Sequence, residues 1–184
     1  MMAHHFRTLT DYLISVGTDQ VPHSEVHFLA HLIGVYRDLK AWGCEEHVVL
    51  AGLFHSIYGT ESFQGFCLPW ERRQEVRDLI GERAERLAYV NCLLSRPSLD
   101  GSVAAGGPPR LVSRLDGTPI PISEDEYTDL ITLHLCDRLE QAARVGHWDW
   151  RRQAWEDMAR RLGGIALESW SRVYGSAPPP AQDC

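Results

Sequence analysis

Apolar residues recur every three or four positions through most of the chain, and this spacing constrains the fold more than any other feature. A first stripe begins at Phe6 and stops at Gly17, and a second continues to Gly43. A third segment, about 45–55, is apolar on nearly every side, as is typical of a central helix. This spacing places one face of a helix against a core. The sequence therefore predicts an all-α fold.

Several residues indicate where the predicted helices begin and break. We expect Ser24 to cap the second helix, because serine is a preferred residue before a first helical turn. Residues 70–94 read as helix with a break at Gly81. Ser123 and Glu126 have the spacing of a capping box, which predicts the start of another helix.

The C-terminal part is predicted to contain one long helix and a tail. After Gly146, a single amphipathic helix is expected over about 148–174, and it carries several tryptophans. Residues 176–184 contain three consecutive prolines and are expected to form a flexible tail. With 184 residues in total, the chain is predicted to form one domain over residues 1–175.

Residues 95–122 interrupt this helical pattern with many glycines and prolines, so no helix is expected there. Asp116 and Gly117 are suited to the turn of a small β-hairpin. Pro119 and Pro121 would confine its second strand to an edge. The insertion is compatible with either a lid or a surface excursion.

Composition narrows the functional classes. A net charge of −7 argues against non-specific binding of nucleic acid, although a local arginine cluster can still hold a small anion. No apolar run approaches the length of a membrane span, and the N-terminus lacks an apolar signal core. We therefore expect a cytoplasmic protein that contacts neither nucleic acid nor membrane. The five cysteines form no CxxC pair and are expected to be reduced thiols.

Three histidines follow one another at intervals of four residues. On a helix, His23, His27 and His31 would lie roughly on one face. We regard His27 and His31 as the better pair of ligands, because His23 lies where the helix is expected to begin. Exposed or capping roles are the alternative for such histidines.

His55 and Asp137 each lie in an apolar helix and therefore require partners. His55 can bind a metal, act in catalysis, or bond to a backbone carbonyl or a carboxylate. Asp137 can bind a metal, a histidine, or an arginine such as Arg138 or Arg144. His134 lies one helical turn before Asp137, on the same face.

Three segments together resemble the HD-domain superfamily, which is all-helical. These segments are 30–36, 49–57 and 135–140. The resemblance covers about residues 24–90 and 124–145. Within the superfamily, the sequence there is most similar to the branch that hydrolyses guanosine tetraphosphate. Residues 54–60, Phe-His-Ser-Ile-Tyr-Gly-Thr, also resemble the signature of an uncharacterised group.

The resemblance implies a set of metal ligands. By position, His31 resembles the first histidine of the family, His55 the histidine of the His-Asp doublet, and Asp137 the last aspartate. Ser56 stands where the doublet has its aspartate. Serine is neutral and cannot support the charge of a second divalent cation, so we expect one metal, manganese, iron or zinc, or no metal. Di-iron oxygen chemistry is disfavoured because His134 is the only histidine between His55 and Asp137.

Further roles in the site are assigned as expectations. Glu61 or His27 would act as general base beside His55, and Tyr58 would donate a hydrogen bond to the substrate. The alternatives are a solvated carboxylate for Glu61 and core packing for Tyr58. Residues expected to contact the substrate are Ser56, His134 and Arg138.

Three functions remain open from the sequence. The first is a small-molecule enzyme with one divalent metal, a hydrolase or a lyase, for which the resemblance implies a phosphate ester or nucleotide-like substrate. The second is a metal-free protein that binds a ligand or performs acid–base catalysis with His27, His55 and Asp137. The third is an interaction module that forms a homodimer through its tryptophan-rich last helix.

Overall fold

The all-α prediction is confirmed by the computed structural model, which describes residues 2–23 and 26–177. The helices of these residues are α1 (Met2–Ser15), α2 (Phe28–Ala41), α3 (Glu46–Phe54), α4 (Arg73–Ile80), α5 (Glu82–Leu93), α6 (Arg96–Ala105), α7 (Glu124–Val145), α8 (Arg152–Leu162) and α9 (Gly164–Gly175). Short 3-10 helices cover Thr18–Gln20 and Trp70–Arg72. Two antiparallel strand pairs complete the fold: β1 (Pro22–His23) with β2 (Val26–His27), and β3 (Leu111–Val112) with β4 (Pro119–Ile120).

Helix α3 lies at the centre of the molecule, as its uniformly apolar sequence predicts. Every residue from Val48 to Phe54 is buried. The helix packs against α2, α5 and α7, so it is covered on several sides. A helix with no polar face is stable only when it is surrounded in this way. This position carries His55, the residue after α3, into the interior.

Helix α2 begins later than the sequence predicts. His27 occupies its N-cap position, and the predicted cap, Ser24, lies outside the described residues. Instead of extending the helix, β1 and β2 pair with His23 opposite Val26 and Pro22 opposite His27. His23 and His27 therefore do not share a helical face with His31, and the predicted row of three histidines is wrong.

The predicted insertion contains a helix that the sequence analysis excluded. Helix α6 begins directly after Ser95, with Pro97 in its first turn and Gly101 in its interior. Proline is tolerated in a first turn because the amide it lacks would have no partner within the helix. A single glycine weakens a helix by about 1 kcal/mol relative to alanine, which tertiary packing readily offsets.

The hairpin predicted for the rest of the insertion is confirmed. Leu111 pairs with Ile120, and Val112 pairs with Pro119. Gly117 in the connecting turn has φ 73°, a left-handed conformation that glycine adopts without a steric penalty.

Helix α7 has the predicted capping box and the predicted end at Gly146. By contrast, the single C-terminal helix is wrong, because α8 and α9 separate at Gly163. That residue has φ 66° and ψ −159°, a region that only glycine populates readily. Trp155 is buried in the molecule's own core. The homodimer through this region stays a prediction, and residues 178–184 of the predicted tail lie outside the described residues.

Two further expectations concern thiols and membranes. Cys44, Cys67, Cys92 and Cys136 are all free thiols, as expected from their scattered spacing. In the described ranges, no helix combines the length and the apolar character that crossing a bilayer requires.

Candidate metal centre

Three helices bring together the side chains that the resemblance implies as ligands. His31 comes from α2, His55 from the end of α3 and Asp137 from α7, and all three are buried. The two Nε2 atoms lie 3.2 Å apart. Oδ1 of Asp137 lies 3.1 Å from Nε2 of His31 and 3.4 Å from Nε2 of His55. The spacing of these three groups and the identity of their donor atoms allow the cluster to hold a metal ion.

Two glycines allow the helices to approach closely enough for this convergence. A Cβ atom on Gly52 would collide with the end of the buried Leu39 side chain on α2, which would then have to move. A Cβ atom on Gly34 would collide with the carboxylate of Glu140 on α7. Glycine at both positions leaves space for these neighbouring side chains and is not required by the backbone, since neither has a positive φ.

Both imidazole rings are oriented by a partner at Nδ1. Nδ1 of His55 donates to the carbonyl of Gly52 at 2.8 Å. Nδ1 of His31 donates to Oε2 of Glu140 at 2.6 Å, and Arg144 donates to the same carboxylate at 2.6 Å. Such partners fix the tautomer of ligating histidines and leave Nε2 free to bind a cation. Protein-bound metals commonly rely on this arrangement.

The donor atoms fit a divalent cation. With both Nδ1 atoms acting as donors, two Nε2 lone pairs face each other at 3.2 Å, and only a proton or a cation between them relieves the repulsion. Burial alone would lower the pKa of His31, but hydrogen bonds to Asp137 and Glu140 outweigh it and raise the pKa to about 9. Burial alone would raise the pKa of Asp137, but the two imidazoles lower it well below its usual range. The site therefore favours positive charge.

The cluster opens onto a cavity of about 640 Å³, a volume that accommodates a small organic molecule. Besides His31 and Asp137, its lining includes His23, Ser56, Thr60, Phe63, Arg96 and Trp150. Ser56 is buried and faces this cavity together with His31 and Asp137.

His134 and Arg138, expected to contact the substrate, have structural partners. His134 is fully enclosed, with Asn91 Oδ1 at 3.3 Å from Nδ1 and Arg151 at 3.3 Å from Nε2. Arg138 donates to the carbonyls of Gly146 and His147, each at 3.0 Å, and borders the cavity. Asp137 pairs with neither Arg138 nor Arg144: besides the two histidines, Gln141 Nε2 donates to it at 2.8 Å.

Three predicted catalytic residues are not brought to the cluster. His27 is exposed at the start of α2, because the chain before it is a strand and not a helix. Glu61 is exposed, and its Oε2 accepts a hydrogen bond of 2.9 Å from the amide of Arg96 at the start of α6. The Tyr58 hydroxyl donates to Glu85 at 3.1 Å, and burial together with that carboxylate raises the pKa of Tyr58 well above its usual range.

His23 takes the place at the cluster that the sequence analysis gave to His27. Its ring stacks on that of His31 with centroids 4.5 Å apart, and the edge of Phe63 covers it at 4.5 Å. Burial, assisted by the neighbouring imidazoles, lowers the pKa of His23 to about 4, so the ring is neutral at pH 7. The spacing pattern alone could not find it, because its position depends on the pairing of β1 with β2.

Glu140 and Arg96 were also missed. Glu140 lies three residues after Asp137 and four before Arg144, so helical spacing on α7 would have placed all three on one face. For Arg96 the sequence offers no comparable signal, because its place depends on a helix that was not expected.

Comparison with known proteins gives one partial match. Residues 12–96 are similar to a family described as a domain of unknown function (DUF6817). The matched stretch includes His31 and His55 and ends before Asp137. No curated protein and no solved structure matches the chain.

Proposed function

We propose that this protein is a small-molecule hydrolase that uses one divalent metal held by His31, His55 and Asp137. The supporting observation is the buried convergence of these three donors, each oriented by a further contact, at the edge of an open cavity. The resemblance to the HD-domain superfamily adds the expectation of a phosphate ester or nucleotide-like substrate. Manganese, iron and zinc all suit a site of two imidazoles and one carboxylate.

The chain's own residues define what such a site can do. A divalent metal in this position supplies Lewis-acid chemistry and lowers the pKa of coordinated water. Glu140 and the Gly52 carbonyl hold the two imidazoles, and Gln141 holds Asp137. Ser56 adds no charge, so the cluster has a single ligating carboxylate and supports one metal.

His23 replaces His27 and Glu61 as the polar group beside the proposed ligands. Its Nε2 is buried and has no hydrogen-bond partner within the described part of the chain. Because the ring is neutral at pH 7, a ring movement that uncovers Nε2 would let it accept a hydrogen bond from a water molecule or a substrate hydroxyl. In this proposal His23 orients the group that attacks or leaves.

Metal analysis of protein purified without affinity nickel tests the proposal. We expect about one manganese, iron or zinc ion per chain after reconstitution, since the site has a single carboxylate ligand. The metal-loaded protein should hydrolyse bis(para-nitrophenyl) phosphate or para-nitrophenyl phosphate. Asp137→Asn should abolish both properties, whereas Asp125→Asn, an exposed change on the same helix, should leave both intact. A metal content far below one per chain, with no gain on adding metal, would overturn the proposal.

A metal-free acid–base enzyme is the second candidate, and one observation favours it. His31 lies between two carboxylates, with Asp137 at Nε2 and Glu140 at Nδ1, as in a proton-transfer chain. The exposed position of His27 removes it from this alternative. Turnover that persists after chelation and is lost in His31→Gln would favour this candidate over the metal-dependent one.

A further inference from the structure

Arg96 is a buried cation for which the described residues supply no paired carboxylate. It lies at the start of α6 on the cavity wall, and 9% of its surface is exposed. The guanidinium donates from Nη2 to the hydroxyl of Thr60 at 3.3 Å. Among the described residues, no carboxylate forms an ion pair with it. Charges this deeply buried are normally paired, because the loss of hydration is costly.

The carboxylates near Arg96 are already engaged elsewhere. Asp137 is bound by His31, His55 and Gln141. Asp100 forms a two-pronged pair with Arg151, at 2.8 and 2.5 Å. Glu61 accepts its hydrogen bond from the backbone amide of Arg96. The Arg96 guanidinium therefore borders the cavity, and the carboxylates near it are bound to other groups.

Other buried or half-buried arginines are bound by carboxylates or by backbone carbonyls. Arg73 and Arg77 bind the carboxylate of Glu85, and Arg138 binds two backbone carbonyls. A guanidinium has five N–H donors in a planar fork that matches a phosphate or a carboxylate. An incoming anion would supply the acceptors that the described residues do not.

We propose that Arg96 binds a negatively charged group, phosphate or carboxylate, of a small organic ligand in this cavity. Arg96 shares the cavity with the metal cluster, so the anion would lie on the same side of the molecule as the proposed chemistry. The cavity is far larger than an isolated anion, and Trp150 and Phe63 offer apolar surface for the rest of the ligand. The anion site itself does not require a metal; that the ligand is a substrate rests on the proposed function.

Titration of chelator-treated protein with inorganic phosphate and, separately, with acetate tests this inference without a contribution from metal. Calorimetry of the wild type should detect binding at or below tens of millimolar. Arg96→Met should weaken that binding about tenfold to a hundredfold, the loss expected for hydrogen bonds to a charged group. Arg96→Lys should give an intermediate loss, because lysine keeps the charge but not the fork. Arg37→Met, an exposed change of the same kind, should leave binding unchanged.

The two anions distinguish the ligand classes. Tighter binding of phosphate identifies a phosphorylated ligand, and tighter binding of acetate identifies a carboxylic acid; either result supports the inference. Absence of binding, equal binding by Arg96→Met, or an equal loss in Arg37→Met would overturn it.

Amide NMR of the wild type keeps the test valid if Arg96→Met does not fold. The amides of Arg96 and Thr60 should shift on addition of the bound anion, and shifts confined to other regions would contradict the assignment. Because this test uses metal-free protein, the protein can bind the anion even if it does not bind a metal. It can equally bind a metal even if it does not bind the anion. Failure of this inference is therefore separable from failure of the proposed function.

Discussion

Ser56 adds a neutral side chain beside the cluster of His31, His55 and Asp137. It is the neighbour of His55, it is buried, and it faces the cavity together with His31 and Asp137. A hydroxyl there leaves Asp137 as the single carboxylate among the proposed ligands. Replacing one side chain should therefore change how strongly the cluster attracts a divalent cation.

We predict that Ser56→Asp raises the affinity for a divalent metal by about tenfold or more (about 1.4 kcal/mol), because the number of charged ligands tunes the affinity of such sites. The new carboxylate would lie close to Asp137, so its repulsion is relieved only when a cation binds. Competition with a chromogenic chelator measures the affinity. Ser62→Asp adds the same charge at an exposed position of the cavity and should have little effect. Equal affinity of Ser56→Asp and the wild type would show that residue 56 does not face the metal.

At the scale of elements, a buried charge cluster joins α4, α5 and the turn after α3. Glu85 on α5 is fully buried and binds Arg73 at 2.6 Å and Arg77 at 3.0 Å from α4, and Tyr58 donates to it at 3.1 Å. Burial alone would raise the pKa of Glu85, but the two arginines lower it below its ordinary value. The hydroxyl of Tyr58 is therefore engaged by Glu85 and not by the His31–His55–Asp137 cluster.

We predict that Glu85→Gln lowers the free energy of unfolding by about 3 kcal/mol, because it leaves partly buried arginines without their counter-ion. Urea unfolding followed by circular dichroism measures the loss. Glu75→Gln removes an exposed pair with Arg72 and should produce no measurable change. A loss as small as that of Glu75→Gln would contradict the assignment of Glu85 as a structural centre.

The same carboxylate predicts a pH dependence. The pKa of Glu85 is lower in the folded than in the unfolded protein, so its stabilisation is present above the unfolded pKa and is lost as pH falls through the folded pKa. The stability difference between wild type and Glu85→Gln should therefore shrink below about pH 4.5, the ordinary range for glutamate. A difference that stays constant down to pH 3 would exclude this contribution.

Helix boundaries show where the sequence is a poor guide to elements. Pro97 and Gly101 suggested an irregular segment, yet both are accommodated within α6, one in the first turn and one in the interior. Gly163 lies within a long amphipathic pattern that predicted a single helix, but it separates α8 from α9. Glycine permits either outcome, and the packing of the surrounding helices selects between them.

At the scale of the whole molecule, the cluster of His31, His55 and Asp137 joins three helices that are distant in sequence. His31, His55 and Asp137 come from α2, the end of α3 and α7, which also pack against one another. The unfolded chain does not hold these donors together. Metal binding should therefore stabilise the entire fold and not only the site.

We predict that a metal at a hundredfold excess over its dissociation constant adds about 2.7 kcal/mol to the stability. For a chain of this size that corresponds to a rise of roughly 5–10 °C in the midpoint of thermal unfolding. Differential scanning calorimetry measures the rise, and a chelator should reverse it. Asp137→Asn should show no rise; a comparable increase in that variant would place the metal elsewhere.

The sequence by itself determined the helical class, the central position of α3 and three residues of the cluster. Apolar spacing specifies which face of a helix is buried, and a polar side chain in a buried helix must find a partner. His55 and Asp137 are recognisable for this reason, and His31 through the resemblance to the HD-domain superfamily.

Only the tertiary structure decided which other residues surround that cluster. His23 reaches it through the pairing of β1 with β2, and Arg96 through a helix inside a segment rich in glycine and proline. His27, Glu61 and Tyr58 do not reach the cluster in the structure. His27 and Glu61 are exposed, and Glu61 and Tyr58 form hydrogen bonds elsewhere. Helix packing determines which residues distant in sequence become neighbours in space. Local secondary-structure propensity does not specify that packing.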